Sequence, residues 1–123
     1  MVLVGCGPLL GKAMEAGQLL RAQGVRAAVV NNPFVNRVDL DTLGPLVKAC
    51  QGRLVTIEDH QVVGGMGAQV SAALSKADVP HRLRILGIDG TFGQSAYVAE
   101  DLYQQHGLTG PAMAQTALAL LRS

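Results

Sequence analysis

Apolar residues occur along this chain either in short continuous runs or with the three-to-four-residue spacing of a helix, and the two patterns alternate. Residues 2–6 form a continuous run that is typical of a strand buried on both faces, and residues 25–30 and 54–57 are predicted to be the second and third strands. Residues 82–86 alternate polar with apolar side chains, which predicts a strand with one wet face near the edge of the sheet. Strands that alternate with helices indicate an α/β fold with a mostly parallel sheet.

Five stretches between and after these runs have the spacing of amphipathic helices. Asp39 or Asp41 is a candidate N-cap of the second helix. The third helix follows the glycines at 64–67, Ser95 is a candidate cap of the fourth, and residues 109–111 begin the last. Because the elements follow one another without a linker or repeat, we expect one domain over residues 1–123.

The composition of the chain argues against several classes of function. The chain has 123 residues, of which 49% are hydrophobic and 15% charged, which disfavours disorder. The ten Lys and Arg residues are scattered and the net charge is +1, which argues against a nucleic-acid partner. No apolar run approaches the ~20 residues that span a bilayer, and the amino end lacks the features of a signal peptide. We therefore expect a soluble cytoplasmic protein with no membrane partner.

The two cysteines, Cys6 and Cys50, lie far apart in the sequence without C-x-x-C spacing. Cys6 closes the first apolar run, and Cys50 ends a helical pattern. This placement favours two reduced thiols, in keeping with a cytoplasmic location.

The candidate functional residues are concentrated after the third apolar run, where residues 58–60 read Glu-Asp-His. Open α/β sheets usually carry their functional residues at this edge. A carboxylate beside an imidazole suits proton transfer, but the same residues also suit a turn cap or an interface. The glycines that follow suit either an anion at the helix start or the close approach of a neighbouring domain. The candidate interface or anion-binding residues are Glu58, His60, Gly64, Gly65 and Gly67, and no residue is assigned a catalytic or metal-binding role.

Other motifs are weaker. Gly5, Gly7 and Gly11 are similar to a dinucleotide-binding fingerprint, but the third glycine is one residue late and no acidic residue ends the second strand. A tight strand-to-helix turn is the preferred interpretation. His81 and His106 lack the spacing of a metal site. Neither a P-loop nor a G-x-S-x-G motif is present in the sequence.

Residues 56–60, T-I-E-D-H, followed by G-G-M-G at 64–67, resemble the C-terminal domain of transketolase. That domain is shared with 1-deoxyxylulose-5-phosphate synthase and with the β subunits of 2-oxoacid dehydrogenases. Residues 86–88, L-G-I, and 92–95, F-G-Q-S, together with Gly107 and Leu108, are similar to transketolase in particular. The resemblance covers nearly the whole chain.

The resemblance implies a three-layer α/β/α sandwich with a mixed, mostly parallel sheet of about five strands. One strand would run antiparallel, and residues 82–86 are the candidate. It also implies that the chain is the non-catalytic C-terminal domain, or a split subunit, of an enzyme that moves a two-carbon ketol unit between sugar phosphates. Its partners would be the cofactor-binding domains, in a homo-oligomer.

Thiamine diphosphate and a divalent cation are expected in the complete enzyme but not in this chain, which we expect to be inactive alone. Residues 87–90, G-I-D-G, are superficially similar to the family's diphosphate motif, but the paired asparagines that should follow are absent from the sequence. Two alternatives stay open. One is a free-standing anion-binding or oligomerisation module, and the other is a fragment of the synthase or of a dehydrogenase β subunit.

Overall fold

The core of the fold is a parallel sheet, seen in a computed structural model that describes residues 1–91 and 98–123. Within these residues the strands are β1 (Val2–Gly5), β2 (Ala28–Asn31), β3 (Arg53–Gln61) and β4 (Arg82–Ile88), in the order β2-β1-β3-β4. All three strand pairings are parallel. The predicted α/β class is confirmed, and the four described strands are close to the five expected.

The expectation that residues 82–86 run antiparallel is wrong. β4 pairs with β3 in parallel, with Arg53 opposite Arg82 and Ile57 opposite Leu86. A helix connects the two strands, and a crossover of this kind returns the chain in the same direction. The predicted edge position of β4 is confirmed, since it is the last strand of the described sheet.

Helices cover both faces of the sheet, which confirms the three-layer arrangement. One face is covered by α1 (Leu10–Ala22), which follows a 3₁₀ turn at Gly7–Leu9, and by α5 (Gly110–Arg122). The other face is covered by α2 (Leu40–Ala49) and α3 (Met66–Lys76), and the short α4 (Ala99–Gln105) precedes α5. Among the described residues, no helix combines the length and apolar character needed to cross a membrane.

The central strands contribute to two separate cores. Leu3 of β1 packs in the core beneath α1 and α5, while its neighbours Val2 and Val4 pack in the core beneath α2 and α3. All three side chains are fully buried. Successive residues of a strand point to opposite faces, so a continuous apolar run is what a sheet covered on both sides requires.

Side-chain caps fix the start of two helices. The Thr42 backbone N–H donates to Oδ1 of Asp39 at 3.2 Å, and the Thr42 hydroxyl donates to Oδ2 at 2.7 Å. Asp39, rather than Asp41, is therefore the N-cap of α2. At α5, Oγ1 of Thr109 accepts from the Ala112 N–H at 3.2 Å. The Ser95 cap predicted for α4 lies outside the described residues.

Asp39→Ala is expected to lower the melting temperature at neutral pH, because it removes both hydrogen bonds from Thr42. Those bonds hold the pKa of Asp39 below its usual value. The stabilisation is therefore present above the unfolded-state pKa of about 3.9 and is lost as the pH falls through the lower folded-state pKa. Thermal unfolding at pH 7 and toward about pH 2 should show the wild type and the variant converging in acid. Asp41→Ala is the matched control, and an undiminished Asp39→Ala difference in acid would contradict this account.

Candidate functional site

The Glu-Asp-His sequence lies within β3 rather than after it. The sequence predicted a strand over residues 54–57, but β3 continues to Gln61. Ile57 lies opposite Leu86 and Gln61 opposite Ile88, so residues 58–60 face Gly87 alone across a bulge. A Cβ on Gly87 would lie 2.7 Å from Cγ1 of Val62 and 3.1 Å from Cγ of Glu58. Glycine at 87 therefore makes room for the bulge.

The carboxylate of Glu58 caps the start of α3. Its Oε2 accepts from the backbone N–H of Met66 at 2.5 Å, and its Oε1 accepts from that of Gly67 at 2.9 Å. The side chain of Glu58 is fully buried. A negative charge is favourable at the positive end of a helix, and hydrogen bonds to a charged acceptor are the stronger kind. Glu58 thus occupies the position that an external anion would take at these two N–H groups.

Two of the three candidate glycines allow close approach within the chain. A Cβ on Gly65 would overlap the Glu58 carboxylate and lie 2.5 Å from the carbonyl oxygen of Gln61. A Cβ on Gly67 would lie 2.5 Å from Oγ1 of Thr56 and 2.8 Å from Cγ2 of Ile85. Both glycines are buried, whereas Gly64 is exposed and adopts a φ of +71°, which favours glycine.

His60 links the buried carboxylate to the surface. Its Nε2 is in contact with Oε2 of Glu58, without a hydrogen bond of acceptable geometry, and that nitrogen has no hydrogen-bond partner among residues 1–91 and 98–123. Its Nδ1 lies 3.7 Å from Oδ1 of Asp59, whose Oδ2 accepts from the Tyr103 hydroxyl at 3.3 Å. The His60 side chain is 33% exposed. We call Glu58, Asp59, His60 and Tyr103 the Glu58 cluster.

The carboxylates of the Glu58 cluster and burial together favour the protonated forms of Cys6 and Tyr103. Burial raises the pKa of the Cys6 thiol, and the negative charges of Glu58 and Asp59 raise it further. Burial and the Asp59 charge likewise raise the pKa of Tyr103. Cys6 and Cys50 are both free thiols, as predicted. The geometry therefore favours a fixed polar network over an activated nucleophile.

Large apolar side chains are exposed at the same edge of the sheet. Phe34 follows β2 and is 57% exposed, and Val63 follows β3 and is 84% exposed. Because β2 and β3 are parallel and flank β1, their carboxyl ends lie at one edge. Val35, next to Phe34, is also exposed, at 37%. We call Phe34, Val35 and Val63 the carboxyl-edge patch, which the sequence analysis did not predict.

The two places that the sequence suggests for an anion are occupied by the chain's own side chains. Met66 and Gly67 direct their N–H groups at Glu58. In the turn that is superficially similar to the diphosphate motif, the Gly90 N–H donates to Oε1 of Gln61 at 3.2 Å, and Nε2 of Gln61 donates to the Thr91 carbonyl at 2.9 Å. That turn is thus tied to β3 by its own hydrogen bonds. Within residues 1–91 and 98–123, no group of three or more His, Cys, Asp or Glu side chains is placed to hold a metal ion.

Gly5 and Gly7, which are similar to part of a dinucleotide-binding fingerprint, lie in a tight strand-to-helix turn. A Cβ on Gly5 would lie 2.7 Å from the Leu10 Cα, and Gly7 adopts a φ of +58°.

His81 is not part of the Glu58 cluster. Its two ring nitrogens contact Oγ of Ser71 at 3.1 Å and the Val79 carbonyl at 2.9 Å.

Sequence comparisons connect the chain to one family. The model of "Transketolase, C-terminal domain" matches residues 1–113. The chain is 35% identical to the 1-deoxy-D-xylulose-5-phosphate synthase of Heliobacterium modesticaldum over 120 residues, which are 98% of this chain and 18% of that protein. It is 27% identical to a putative transketolase C-terminal section of Methanocaldococcus jannaschii, over 94% of this chain and 35% of that protein.

Solved structures agree with this connection. A split gene transketolase, described as an inactive β4 tetramer, is 32% identical with a TM-score of 0.84, over 97% of this chain and 39% of that one. The transketolase of Campylobacter jejuni, at 21% identity and a TM-score of 0.65, shares the fold. The chain therefore spans less than half the length of each of these relatives.

Proposed function

The chain belongs to the transketolase C-terminal domain family, and from this premise we propose that it is the non-catalytic C-terminal domain, or a separate subunit, of a transketolase-type enzyme. Residues 1–123 would form one domain that packs against the cofactor-binding domains of a cytoplasmic homo-oligomer. Those domains would hold thiamine diphosphate and a divalent cation. The enzyme they complete would transfer a ketol unit between sugar phosphates.

The carboxyl-edge patch is the observation that carries this proposal. Isolated apolar residues are common on protein surfaces, whereas exposed apolar residues that lie at one edge of a sheet support an interaction site there. Val63 is 84% exposed, the largest exposure among the large apolar side chains that are exposed in the described residues. A partner domain seated on this edge would remove that apolar surface from water.

The Glu58 cluster gives this edge its shape. Glu58, Gly65 and Gly67 are buried, so their part in the interface is to fix the loop that precedes α3. His60 is partly exposed and Gly64 is exposed, so these two would touch the partner directly. Glu58 already occupies the Met66 and Gly67 N–H groups, which supports a structural role for this loop over the binding of an external anion.

Val63→Asp is expected to weaken docking, because it places a charge in a contact that would be desolvated. We expect the affinity for the cofactor-binding domains to fall at least about tenfold. Ketol-transfer activity should fall in parallel when the concentration of this chain limits assembly. Association is measured by gel filtration and calorimetry, and activity with sugar phosphates. Met14→Asp is the control, since Met14 is 53% exposed on α1.

Unchanged association of Val63→Asp, with Met14→Asp equally unchanged, would contradict docking at this edge. Binding of inorganic phosphate by the isolated chain, with no affinity for cofactor-binding domains, would favour the free-standing module instead.

A second candidate is the same role in a 1-deoxyxylulose-5-phosphate synthase. The 35% identity to the Heliobacterium protein favours it. The F-G-Q-S motif, which resembles transketolase, lies at 92–95, outside the described residues. The assembled enzyme decides between the two: a transketolase uses a ketose phosphate as ketol donor, whereas the synthase forms 1-deoxyxylulose 5-phosphate.

A further inference from the structure

Three arginines lie on one face of the last two strands. Arg53 of β3 is directly opposite Arg82 of β4, and Arg84 follows two residues later. Residues two apart in a strand share a face, so Arg82 and Arg84 point to the same side as Leu86, which packs against the core beneath α1 and α5. Arg82 and Arg84 are exposed, and Arg53 is partly buried.

Arg53 and Arg84 hydrogen-bond to neutral oxygens in the part of the chain that the structure describes, and Arg82 donates to an oxygen of Ser123. Arg53 donates to Oε1 of Gln51 at 2.5 Å, and its Nε is buried without a partner among those residues. Arg82 donates to the Ser123 oxygen at 2.7 Å and Arg84 to the Leu83 carbonyl at 3.1 Å. Every described ion pair involves Lys12 or His60 instead. Like charges facing each other across strands are unfavourable, so a bound carboxylate would relieve this repulsion.

β4 also offers backbone groups for pairing. Within residues 1–91 and 98–123, β4 is the last strand of the sheet, so the backbone N–H and C=O groups of its outer edge are not used by another strand. Such an edge accepts an extended peptide as an added strand. Charged side chains on the edge repel a second copy of the same positive strand, and they favour a strand of opposite charge.

We propose that the outer edge of β4 binds an extended acidic segment of a partner protein as an added strand. Carboxylates at every second position of that segment would face Arg82 and Arg84, because their spacing matches the two-residue period of a strand. Each guanidinium would bind its carboxylate through paired N–H···O bonds. The two-residue spacing on an open strand edge favours such a peptide over a free phosphate, which needs neither feature.

Two labelled peptides of about nine residues test the proposal by fluorescence anisotropy at low salt. One alternates Glu with Thr, and the other has the same composition with its glutamates in one block. We expect the alternating peptide to bind at least about tenfold more tightly, since only its carboxylates all face one side. Isotope-edited NMR should place its contacts on residues 82–88.

The matched variants are Arg82→Ala/Arg84→Ala and, as control, Arg21→Ala/Arg26→Ala, which removes two exposed arginines elsewhere. The first pair should weaken the alternating peptide about tenfold, and the second should leave its affinity unchanged. Equal affinity for both peptides, equal competition by a short oligonucleotide or inorganic phosphate, or no binding would overturn the proposal. The experiment needs no cofactor-binding domain, so its outcome is independent of the proposed function.

Discussion

Glu58→Ala is expected to lower the free energy of unfolding by roughly 3–5 kcal/mol, measured by urea denaturation at pH 7. The substitution leaves the N–H groups of Met66 and Gly67 buried without their acceptor. Each unsatisfied buried donor costs about 1–3 kcal/mol, and the lost side chain leaves a cavity beside His60. Because α3 connects β3 to β4, loss of its cap should affect the whole fold rather than one loop.

An exposed carboxylate supplies the control for this prediction. Glu100 pairs with Lys12 at 2.8 Å, but its side chain is 50% exposed. Glu100→Ala should therefore cost less than about 1 kcal/mol. Glu58→Gln keeps one acceptor for the helix and should be intermediate. If Glu58→Ala cost no more than Glu100→Ala, water would be satisfying the start of α3 and the buried carboxylate would have no structural role.

The Glu58 cap shows why the sequence predicted the residues of the site but not their arrangement. Helix caps are recognised when the capping side chain immediately precedes the helix, and at α3 that position is Gly65. The actual cap comes from Glu58, eight residues before Met66 and across a turn. Polar residues after an apolar run also suggest that the strand has ended. Here β3 continues through a bulge that depends on Gly87, which lies far along the chain, beyond α3.

The wrong direction expected for β4 has a different origin: the resemblance implied one antiparallel strand, and the alternating residues 82–86 were the candidate for it. Alternating polar and apolar residues indicate which face of a strand is exposed to solvent, and at 82–86 they correctly predicted an edge strand. They carry no information on strand direction, which is set by the connection between strands. A helix was predicted between residues 57 and 82, and this was already a reason to expect a parallel return.

Exposed apolar residues such as Phe34 and Val63 are uninformative one at a time, because single apolar residues are common on surfaces. They become a patch only through the strand order, which places the ends of β2 and β3 on either side of β1. Apolar residues in the loops directly after predicted parallel strands would have been a usable signal.

Gly65→Ala is the second substitution with a large expected effect, a loss of about 3 kcal/mol in the free energy of unfolding. Gly65 has a φ of −76°, which alanine adopts without strain, so the cost is steric. The new methyl group would meet the Gln61 carbonyl oxygen at 2.5 Å and overlap the Glu58 carboxylate. Neither neighbour can move freely, since one is backbone and the other is held by the Met66 and Gly67 N–H groups.

Gly11→Ala is the matched control for Gly65→Ala. Gly11 lies in α1, and a methyl group added there would meet no atom within 4 Å apart from the adjacent residues and the backbone of its own helix, so alanine should stabilise the helix by about 0.5–1 kcal/mol. The combination with Glu58→Ala is the sharper test. Once the carboxylate is gone, Gly65→Ala should cost at least about 1 kcal/mol less than in the wild type, because the two residues touch. Additive effects would mean that the carboxylate does not lie over Gly65, and the Glu58 cap would then be placed wrongly.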